Sequence, residues 1–491
     1  MHWVDAVARD LLEKSEKHRI ATGISPSGPI HLGNLREMVT ADVIRKALVD
    51  AGGEAEIFYI ADDVDQLRKR YPFLPKEYEN FVGKPLFRIP DPKGCHESYS
   101  EHFLEPFLNS LDDLGIDVQV YRASEMYEKG MYREAIKIAL KRKDDIARII
   151  SEVTGRKIEK DWSPFMPICE GCGKIITTKV IDFDESKIYY ICTCGNSGNV
   201  GYNGGGKLTW RVDWVARWTI LKITCEPFGK DHAAAGGSYD TGVRISREIY
   251  NYEPPYPVPY EWVHIKGMGV AKKSRGIVVA VEDVVETFPP EIIRYLFMRV
   301  RPERHIEFEP TDILDLFDEF EEKLRKKDRG AELSLVSKIS YSEVPFRHVV
   351  VLGQIANWDV EKVLNMLKRS GYSIERSDVE RKLSYAKKWL ERFAPENLKF
   401  KISEKIEVEF DNDERTFLCS FAEKLNELMS AEEIHALVYE VSREVKVDPS
   451  KAFKAIYKAI LNRDHGPRIG YFIRSLGVDW FRERIAFLCQ R

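Results

Sequence analysis

One stretch decides the fold of this chain: Thr22-Gly23-Ile24-Ser25-Pro26-Ser27-Gly28-Pro29-Ile30-His31-Leu32-Gly33-Asn34. The short run before it, residues 19–22, predicts the end of a strand. After it, apolar side chains recur at nearly helical spacing until Gly52 and Gly53 end the pattern, and a second strand is predicted over residues 57–60. Strand, glycine-rich turn, helix and strand in this order are typical of one nucleotide-binding half of an α/β sheet.

The chemistry of this stretch favours a phosphate ligand. Its glycines let the backbone approach a ligand closely and its prolines fix the turn. His31 and Asn34 lie three residues apart, so both point to one side of the first helical turn, where an imidazole and an amide suit phosphate oxygens. The stretch is neither a Walker A motif nor a GxGxxG fingerprint. Taken alone, it could also be a surface turn before an ordinary helix.

Length and composition predict a soluble, multidomain globular protein. The chain has 491 residues, of which 44% are hydrophobic and 31% charged, which suggests three or four domains with ample core. No apolar run approaches the roughly 18 residues of a spanning helix, and the start lacks the pattern of a secretory signal, so no membrane association and a cytoplasmic location are expected. The net charge of −4 neither favours nor excludes nucleic acid as a partner.

Changes in pattern along the chain divide it into four parts. Residues 1–65 and 207–260 are predicted to form two halves of a Rossmann-like domain. Residues 66–206, broken by prolines, are predicted to be an insertion that does not extend the sheet. Residues 261–310 form a connector, and residues 311–491 become almost wholly helical.

Four of the eight cysteines are clustered inside the insertion. Cys169 and Cys172 form one pair on a glycine-bearing turn, and Cys192 and Cys194 form a second. Four thiolates from two such turns predict a closed, tetrahedral, structural zinc site, with two disulfides as the alternative. The remaining cysteines are predicted to be reduced core thiols: Cys95, Cys225, Cys419 and Cys489.

Further groups suited to a ligand site follow other predicted strands. Asp62 or Asp63 comes at the carboxyl end of the second strand, where open α/β sheets bind ligands, although these acids could also belong to a solvated turn. Trp210 and Asp213 lie three residues apart. His232 ends a Gly-Lys-Asp-His segment and could equally be a core histidine.

Two basic segments are candidates for contacts with phosphates. Residues 266–276 form a glycine-spaced cationic loop that could close over a triphosphate, or could be a solvated surface. Residues 451–474 contain six lysines and arginines against a single acid, a net charge of +5, which makes them the best candidate for an RNA-facing surface.

Together these segments resemble the class I, archaeal-type lysyl-tRNA synthetases. The matching segments are residues 22–34, 61–65, 210–213 and 228–242, and the resemblance spans essentially the whole chain. The Pro-Ser-Gly-x-x-His-x-Gly-Asn and Gly-Lys-Asp-His forms favour lysine over other amino acids. The resemblance implies an α/β, Rossmann-like class I synthetase catalytic domain with a zinc-binding insertion, followed by an all-α anticodon-binding domain.

The resemblance also implies a nucleotide site for ATP with its Mg²⁺. Residues 270–276 depart from the Lys-Met-Ser-Lys-Ser motif of the family, so Lys272 or Lys273 must carry the phosphate contact, and Lys273 is our prediction. The catalytic residues that the family implies are His31, Asn34, Lys273 and Ser274. The wider ATP site adds Pro26, Ser27, Gly28 and Gly33.

For the amino acid, the resemblance implies a lysine pocket made by Gly23, Ser25, Asp62, Trp210 and His232. Asp62 would pair with the α-ammonium group. The ε-ammonium group also needs a desolvated acceptor, because the site must reject uncharged analogues. Asp63, Asp213 and Asp240 are candidates among which the sequence does not choose.

The implied substrates are ATP, L-lysine and tRNA(Lys), and a monomer is expected. The helical tail would read the anticodon by stacking bases on aromatic side chains and pairing phosphates with its basic surface. Three alternatives stay open: a glutamyl- or glutaminyl-type synthetase, a small-molecule nucleotidyltransferase, and a zinc-knuckle RNA-binding protein without catalysis.

Overall fold

The computed structural model describes residues 2–266, 269–270, 280–339 and 341–489. They fall into two compact units. Unit 1 comprises Met1–Glu286, Ile293–Glu309 and Asp328–Val336. Unit 2 comprises Thr287–Ile292, Pro310–Lys327 and Ser337–Arg491. Most of the predicted connector, residues 261–286 and 293–309, therefore belongs to unit 1.

All strands of the described residues lie in unit 1. In chain order they are β1 (Lys17–Ile24), β2 (Glu54–Ala61), β3 (Gln119–Arg122), β4 (Phe165–Pro167), β5 (Thr178–Phe183), β6 (Lys187–Cys192), β7 (Ser197–Gly201), β8 (Gly206–Leu208), β9 (Cys225–Gly229), β10 (Tyr256–Tyr260), β11 (Val263–Ile265), β12 (Gly269–Val270) and β13 (Ile306–Phe308). The helices up to residue 298 are α1 (Trp3–Leu12), α2 (Leu32–Asp50), α3 (Tyr99–Asp113), α4 (Ala123–Glu128), α5 (Arg133–Lys141), α6 (Lys143–Thr154), α7 (Trp210–Leu221), α8 (Lys230–Ala233), α9 (Ser238–Glu248), α10 (Val281–Thr287) and α11 (Pro290–Met298).

A five-stranded parallel sheet organises unit 1, with the strand order β10-β9-β1-β2-β3. β1 and β2 pair in register from Lys17 opposite Glu54 to Ile24 opposite Ala61. Both predicted strands are confirmed, and each is longer than the sequence pattern indicated. Because the strands are parallel, the loop after β1 and the acids after β2 lie at the same edge of the sheet.

The helix after the signature stretch, α2, is almost completely buried. Gly52 adopts φ = 91°, which lets the chain turn sharply after the helix ends. Buried polar residues on α2 are tied to other elements. The Arg36 guanidinium donates to the carbonyl oxygens of Glu261, Arg301, Pro302 and Arg304. Asp42 accepts a hydrogen bond from the buried Arg294, at 2.5 Å.

The prediction that residues 66–206 do not extend the sheet is wrong. β3 adds an edge strand that pairs with β2 from Phe58 opposite Gln119 to Ala61 opposite Arg122. This strand has only four residues, which is too short for a recognisable alternation of apolar side chains. The rest of the insertion contains helices, a three-stranded antiparallel sheet, β5-β6-β7, and β4, which pairs with β8 at the end of the insertion.

The described part of residues 310–489 contains helices and no strand, as predicted. These helices are α12 (Ile313–Arg325), α13 (Arg329–Ser334, in unit 1), α14 (Phe346–Ile355), α15 (Val360–Arg369), α16 (Arg376–Arg392), α17 (Asn412–Lys424), α18 (Ala431–Glu444), α19 (Pro449–Leu461), α20 (Ile469–Leu476) and α21 (Val478–Ile485). Within the described ranges, none of the helices combines the length and apolarity needed to cross a bilayer.

Three of the four isolated cysteines differ from their predicted state. Cys419 on α17 and Cys489 form a disulfide, a pairing across 70 residues that sequence spacing does not reveal. Cys95 is exposed rather than part of a core, and it lies beside two histidines. Cys225, at the start of β9, is the buried free thiol that was expected.

Candidate functional site

A cavity of about 370 Å³ opens at the carboxyl edge of the parallel sheet in unit 1. Its walls come from the signature stretch, the start of α2, the end of β2, α7, β9, α8 and residues 260–263. Eight of the predicted site residues line it: Gly23, Ser25, His31, Gly33, Asn34, Asp62, Trp210 and His232. The structure therefore brings the predicted nucleotide-binding and amino-acid-binding groups to one cavity.

The other predicted site residues are placed differently. Pro26, Ser27 and Gly28 belong to the loop between β1 and α2 and are not among the cavity-lining residues. The Ser27 carbonyl oxygen accepts a hydrogen bond from the Tyr99 hydroxyl, at 2.9 Å. Lys273 and Ser274, like the alternative Lys272, lie outside the described residues.

The predicted phosphate-binding pair lies at the N-terminus of α2. His31 is the residue that precedes the first helical residue, and its backbone N–H donates to the Asn34 side-chain oxygen at 3.3 Å. The NH₂ group is therefore the part of Asn34 that can donate to a phosphate. A Cβ at Gly33 would lie only 3.0 Å from the His31 Nδ1 atom, so this glycine lets the imidazole fold closely over the helix.

Aromatic rings form one wall of the cavity. Trp210 and Trp214, one turn apart on α7, stack with their ring centroids 5.4 Å apart and their planes 11° apart. His232 lies 5.6 Å from Trp210 and 5.5 Å from Trp214 between ring centroids. Burial lowers the pKa of His232, so its imidazole is neutral at neutral pH. His232 lines the cavity and is half-buried, so it is not an enclosed core residue.

The floor of the cavity is a buried charge cluster. The Arg217 guanidinium donates to both carboxylate oxygens of Asp62, at 2.6 and 3.2 Å, and also to Asp213. Lys207 pairs with Asp65 at 2.6 Å close by and contributes to the field at Asp62. Three carboxylates face two cations, so the cluster carries one net negative charge beneath the cavity.

None of the three candidates for the ε-ammonium acceptor lines this cavity. Asp63 is buried and accepts hydrogen bonds from the backbone N–H and hydroxyl of Ser124. Asp213 lies in the charge cluster, with Arg217. Asp240 is exposed and accepts from the Gly236 N–H.

Two other buried carboxylates do line the cavity, and sequence reasoning missed both. Glu37 accepts hydrogen bonds from the Gly23 N–H at 2.8 Å and from the Tyr260 hydroxyl at 2.6 Å. Glu226 accepts the indole N–H groups of Trp214 and Trp218, at 2.8 and 2.5 Å. Burial raises the pKa of Glu37 to about 8 and that of Glu226 to about 7. The sequence did contain a signal for each. Glu37 occupies a core-facing position in the apolar pattern of α2, and Glu226 lies inside the buried strand β9.

The clustered cysteines of the insertion converge in unit 1. The Sγ atoms of Cys169 and Cys194 lie 3.7 Å apart, as do those of Cys172 and Cys192, and all four lie within 4.8 Å of one another. All four thiols are free, so the alternative of two disulfides is wrong. Four thiols at this spacing fit the tetrahedral coordination of a metal ion.

A second cavity, of about 450 Å³, lies within unit 2 and combines aromatic and basic side chains. The rings of Tyr372 and Tyr471 flank the half-buried His348. Basic residues on its wall are Arg347, Lys399, Arg463 and Arg468. In contrast, two lysines of the predicted RNA-facing segment are paired with acids: Lys451 with Asp411 and Asp413, and Lys458 with Glu414.

The sequence profile of the family described as tRNA synthetases class I (K) matches residues 1–340, more than half of the chain. The chain belongs to this family of class I tRNA synthetases. The matched residues include the whole of the signature stretch, every residue that lines the cavity at the sheet edge, and the cysteine cluster. The resemblance inferred from residues 22–34 and 228–242 is thereby confirmed, as is the α/β class of the fold.

Relatives of this synthetase family extend the similarity to the full chain. The chain is 66% identical to the lysine–tRNA ligase of Archaeoglobus fulgidus over 489 residues, which cover 99% of each protein. It is 48% identical to lysine–tRNA ligase 1 of Methanosarcina acetivorans, over 97% of this chain and 96% of that protein. Among solved structures, it is similar to the glutamate-tRNA synthetase from Elizabethkingia anophelis, with a TM-score of 0.43 and 14% identity over 96% of this chain and 99% of that chain.

Substituting Gly33 with alanine tests the arrangement at the start of α2. The added methyl group must displace the His31 ring, which lies 3.0 Å away. We expect Gly33→Ala to lower the rate of ATP–pyrophosphate exchange about tenfold to a hundredfold, the effect of losing one well-placed donor. Gly201→Ala is the control, because its methyl group meets only a backbone nitrogen at 4.0 Å. An unchanged exchange rate in Gly33→Ala would contradict a role for the His31 ring position.

Proposed function

We propose that this synthetase is a lysine–tRNA ligase that acts in two steps. In the first, a lysine carboxylate oxygen attacks the α-phosphorus of ATP, and the bond to the bridging oxygen breaks to release pyrophosphate. In the second, the terminal ribose hydroxyl of tRNA(Lys) attacks the lysyl carbonyl carbon, and AMP leaves. The observation that carries the proposal is the single cavity in which the helix N-terminus, the aromatic wall and buried carboxylates meet.

The start of α2 is proposed to hold the triphosphate and its Mg²⁺. His31 and the Asn34 amide would donate to phosphate oxygens, supported by the positive end of the helix dipole. Lys273 and Ser274, from the cationic loop, would complete the contacts, while Gly33 leaves room for the nucleotide and Pro26, Ser27 and Gly28 shape the loop. Neither step needs a covalent enzyme intermediate, so catalysis depends on orientation and charge stabilisation.

The α-ammonium group of lysine is proposed to lie above Asp62. This carboxylate lines the cavity and belongs to the buried cluster with one net negative charge. An ammonium group placed there would neutralise the excess charge. Gly23 and Ser25 would form the edge of the pocket, and Trp210 and His232 would cover the aliphatic part of the substrate.

Glu37, together with Tyr260, is our proposed acceptor for the ε-ammonium group. Its carboxylate is buried, lines the cavity and neighbours Gly23, and the Tyr260 oxygen beside it can accept a second hydrogen bond from the cation. Glu226 is less suited, because both of its partners are indole N–H groups, which only donate and therefore offer the cation no second acceptor. A charge-assisted hydrogen bond in this buried site would reject uncharged analogues, since they leave the carboxyl unpaired.

The four-cysteine cluster is proposed to hold a structural Zn²⁺. Thiolates of Cys169, Cys172, Cys192 and Cys194 form a complete tetrahedral set, and none of them lines the cavity. The ion would fix the β5-β6-β7 sheet to the turn that carries the first cysteine pair. Its contribution would be to folding of the insertion and not to the chemical step.

Unit 2 is proposed to bind the anticodon of tRNA(Lys). Its cavity offers aromatic rings on which an unstacked base can lie and arginines that can pair with phosphates, the usual combination for single-stranded RNA. We further propose that the enzyme acts as a monomer in the cytoplasm.

Amino-acid specificity tests the function directly. ATP–pyrophosphate exchange should be measured over a panel of lysine, glutamate, glutamine and arginine, each with and without tRNA. We expect exchange with lysine alone of the four, because the pocket offers carboxylates to a cation. The assays that include tRNA are essential, since enzymes of this type can require tRNA for activation of the amino acid. Exchange specific to glutamate, or none with lysine under either condition, would contradict the proposal.

The pH dependence of lysine binding, compared between the wild type and Glu37→Gln, tests whether Glu37 accepts the ε-ammonium group. With a pKa of about 8, the Glu37 carboxyl is protonated at pH 7 and must release its proton to pair with lysine. The affinity for L-lysine should therefore rise with pH from 6 to 8, and calorimetry in buffers of different ionisation enthalpy should detect proton release. Glu37→Gln should weaken binding at least tenfold and reduce this proton release. Asp240→Asn, an exposed acid away from the cavity, should change neither. Wild-type affinity in Glu37→Gln would exclude Glu37 as the acceptor.

Arginine substitutions on the wall of the unit 2 cavity test tRNA binding. Arg347→Ala removes a cation whose partner Asp315 is exposed, so folding should be unaffected. We expect a KM for tRNA raised about threefold to tenfold and a weaker salt dependence, with unchanged kinetics for ATP and lysine. Arg376→Ala is the matched control, because this arginine is 57% exposed, against 56% for Arg347, and does not line the cavity. Equal effects of both variants would contradict the assignment.

A further inference from the structure

Two arginine side chains without partners lie beside the cavity at the sheet edge. Arg211 follows the cavity-lining Trp210 in the first turn of α7, and Arg156 lies in an exposed segment just after α6. Within the described part of the chain, neither guanidinium forms an ion pair or a hydrogen bond, and the Arg211 Nε atom is buried without an acceptor. Both charges are therefore available to a ligand.

The packing of α6 against α9 determines where Arg156 lies. Glu152 pairs with Arg244 at 2.8 Å, and Arg148 pairs with Glu248 at 3.5 Å, so the two helices run antiparallel. The C-terminal end of α6, with Arg156 two residues beyond it, therefore lies beside the N-terminal end of α9.

The loop before α9 connects this end of α6 to the wall of the cavity. It follows the turn of His232, which lines the cavity, and an added Cβ at Gly236 would lie only 2.9 Å from the Val153 carbonyl oxygen of α6. Burial and, after it, the nearby positive charge of Arg156 lower the pKa of Arg211. The two arginines therefore lie together at one rim of the cavity.

Folding alone does not explain this pair of arginines. Two like charges at short range repel each other, and Arg211 is half-buried without an acceptor, which costs free energy. An anion held between the two guanidinium groups would remove both costs. Arginine binds phosphate oxygens through two parallel N–H donors, so a phosphate group is the anion that suits this rim.

Trp210 indicates which phosphate compound binds here. Its indole stacks on Trp214, yet 37% of the residue remains exposed, so part of the ring is open to a base. Positive charge beside an exposed aromatic ring is the usual arrangement for single-stranded nucleic acid. In the second step of the proposed reaction, the terminal ribose hydroxyl must reach the lysyl group beside Trp210 and His232. The nucleotides that precede this ribose must therefore cross the rim.

We propose that Arg156 and Arg211 bind the phosphodiester groups of the 3′-terminal nucleotides of tRNA, with the exposed part of Trp210 against one of their bases. The two arginines hold the terminal ribose where its hydroxyl can attack the lysyl carbonyl carbon. They supply binding and orientation, and they form no bond to the substrate that breaks during the reaction. The identity of the RNA rests on the proposed function, whereas the presence of an anion site does not.

RNA binding tests the site without reference to activity. The probes are a labelled RNA hairpin with the acceptor stem and single-stranded 3′ end of tRNA(Lys), and the same hairpin without its last three nucleotides. Fluorescence anisotropy with the full-length wild type should show about tenfold tighter binding of the complete hairpin. Arg156→Ala and Arg211→Ala should each reduce this ratio about threefold or more and lower the salt slope for the complete hairpin by about one. A wild-type ratio in either variant would overturn the assignment of that residue.

Arg247→Ala is the matched control for the loss of one positive charge. Arg247 lies near the far end of α9, and its partner Glu253 is 72% exposed, so folding should be unaffected. This variant should keep the wild-type ratio between the two hairpins. An equal reduction in Arg247→Ala would show a general effect of charge and overturn the site.

Thermal stability separates a binding role from a structural one. Arg211→Ala removes a half-buried cation without a partner, so it should melt at or above the wild-type temperature, and Arg211→Lys should recover part of the hairpin ratio. A lower melting temperature of Arg211→Ala together with a wild-type hairpin ratio would show a structural role and overturn the proposal. If Arg211→Ala does not fold, the exposed Arg156→Ala decides the outcome.

Kinetics test the step in which the arginines act. Single-turnover transfer of lysine from the bound adenylate to subsaturating tRNA should be about tenfold slower in Arg211→Ala, while calorimetric affinities for ATP and L-lysine should be unchanged. Weaker binding of ATP or pyrophosphate in the arginine variants, with unchanged hairpin binding, would assign the site to the nucleotide and overturn the proposal. A wild type that transfers no lysine would instead contradict the proposed function, and the hairpin assay would still decide the RNA site.

Discussion

The packing of the sheet, α7 and the insertion in unit 1 depends on the ion pairs of the Arg217 guanidinium. It is 2% exposed and binds Asp62 at the end of β2 and Asp213 on its own helix, α7. Asp213 in turn accepts the Tyr127 hydroxyl from the insertion. Without the guanidinium two buried carboxylates would repel each other, and breaking a buried pair in this way costs about 3–5 kcal/mol. The sheet, the insertion and the cavity floor are therefore stabilised by one charge cluster.

Helix α2 has two functions in this structure because it is buried on nearly all sides. Its buried polar side chains cannot face water and are hydrogen-bonded within unit 1, as Arg36 and Asp42 illustrate. Its first turn presents Asn34 to the cavity, and Glu37 follows one turn later on the same side. A single rigid helix thus sets the distance between the proposed phosphate contacts and the proposed ε-ammonium acceptor.

The sequence predicted those parts of the fold and site that local pattern encodes. The signature stretch, β1, β2, α2 and the four-cysteine spacing are local features, and of the cavity-lining positions in the first part of the chain Gly23, Ser25, His31, Gly33, Asn34 and Asp62 were found. β3 was missed because four residues carry too little pattern. The Cys419–Cys489 disulfide depends on tertiary folding, and the acceptor role considered for Asp63 was excluded only by its contact with Ser124. Glu37 was not predicted as a site residue because a charged residue in a helical pattern is normally interpreted as solvent-facing.

Electrostatics explain why a lysine pocket fits this cavity better than a glutamate pocket. Among its described lining residues, Arg217 is the only arginine or lysine, and its guanidinium is already shared by two carboxylates. Glu37 and Glu226 add two carboxyls whose raised pKa values show that burial leaves them short of positive charge. A glutamate side chain would bring a further negative charge to this site without a partner. A lysine side chain instead supplies the missing cation, and the carboxyl that pairs with it can then ionise without the cost of an isolated buried charge.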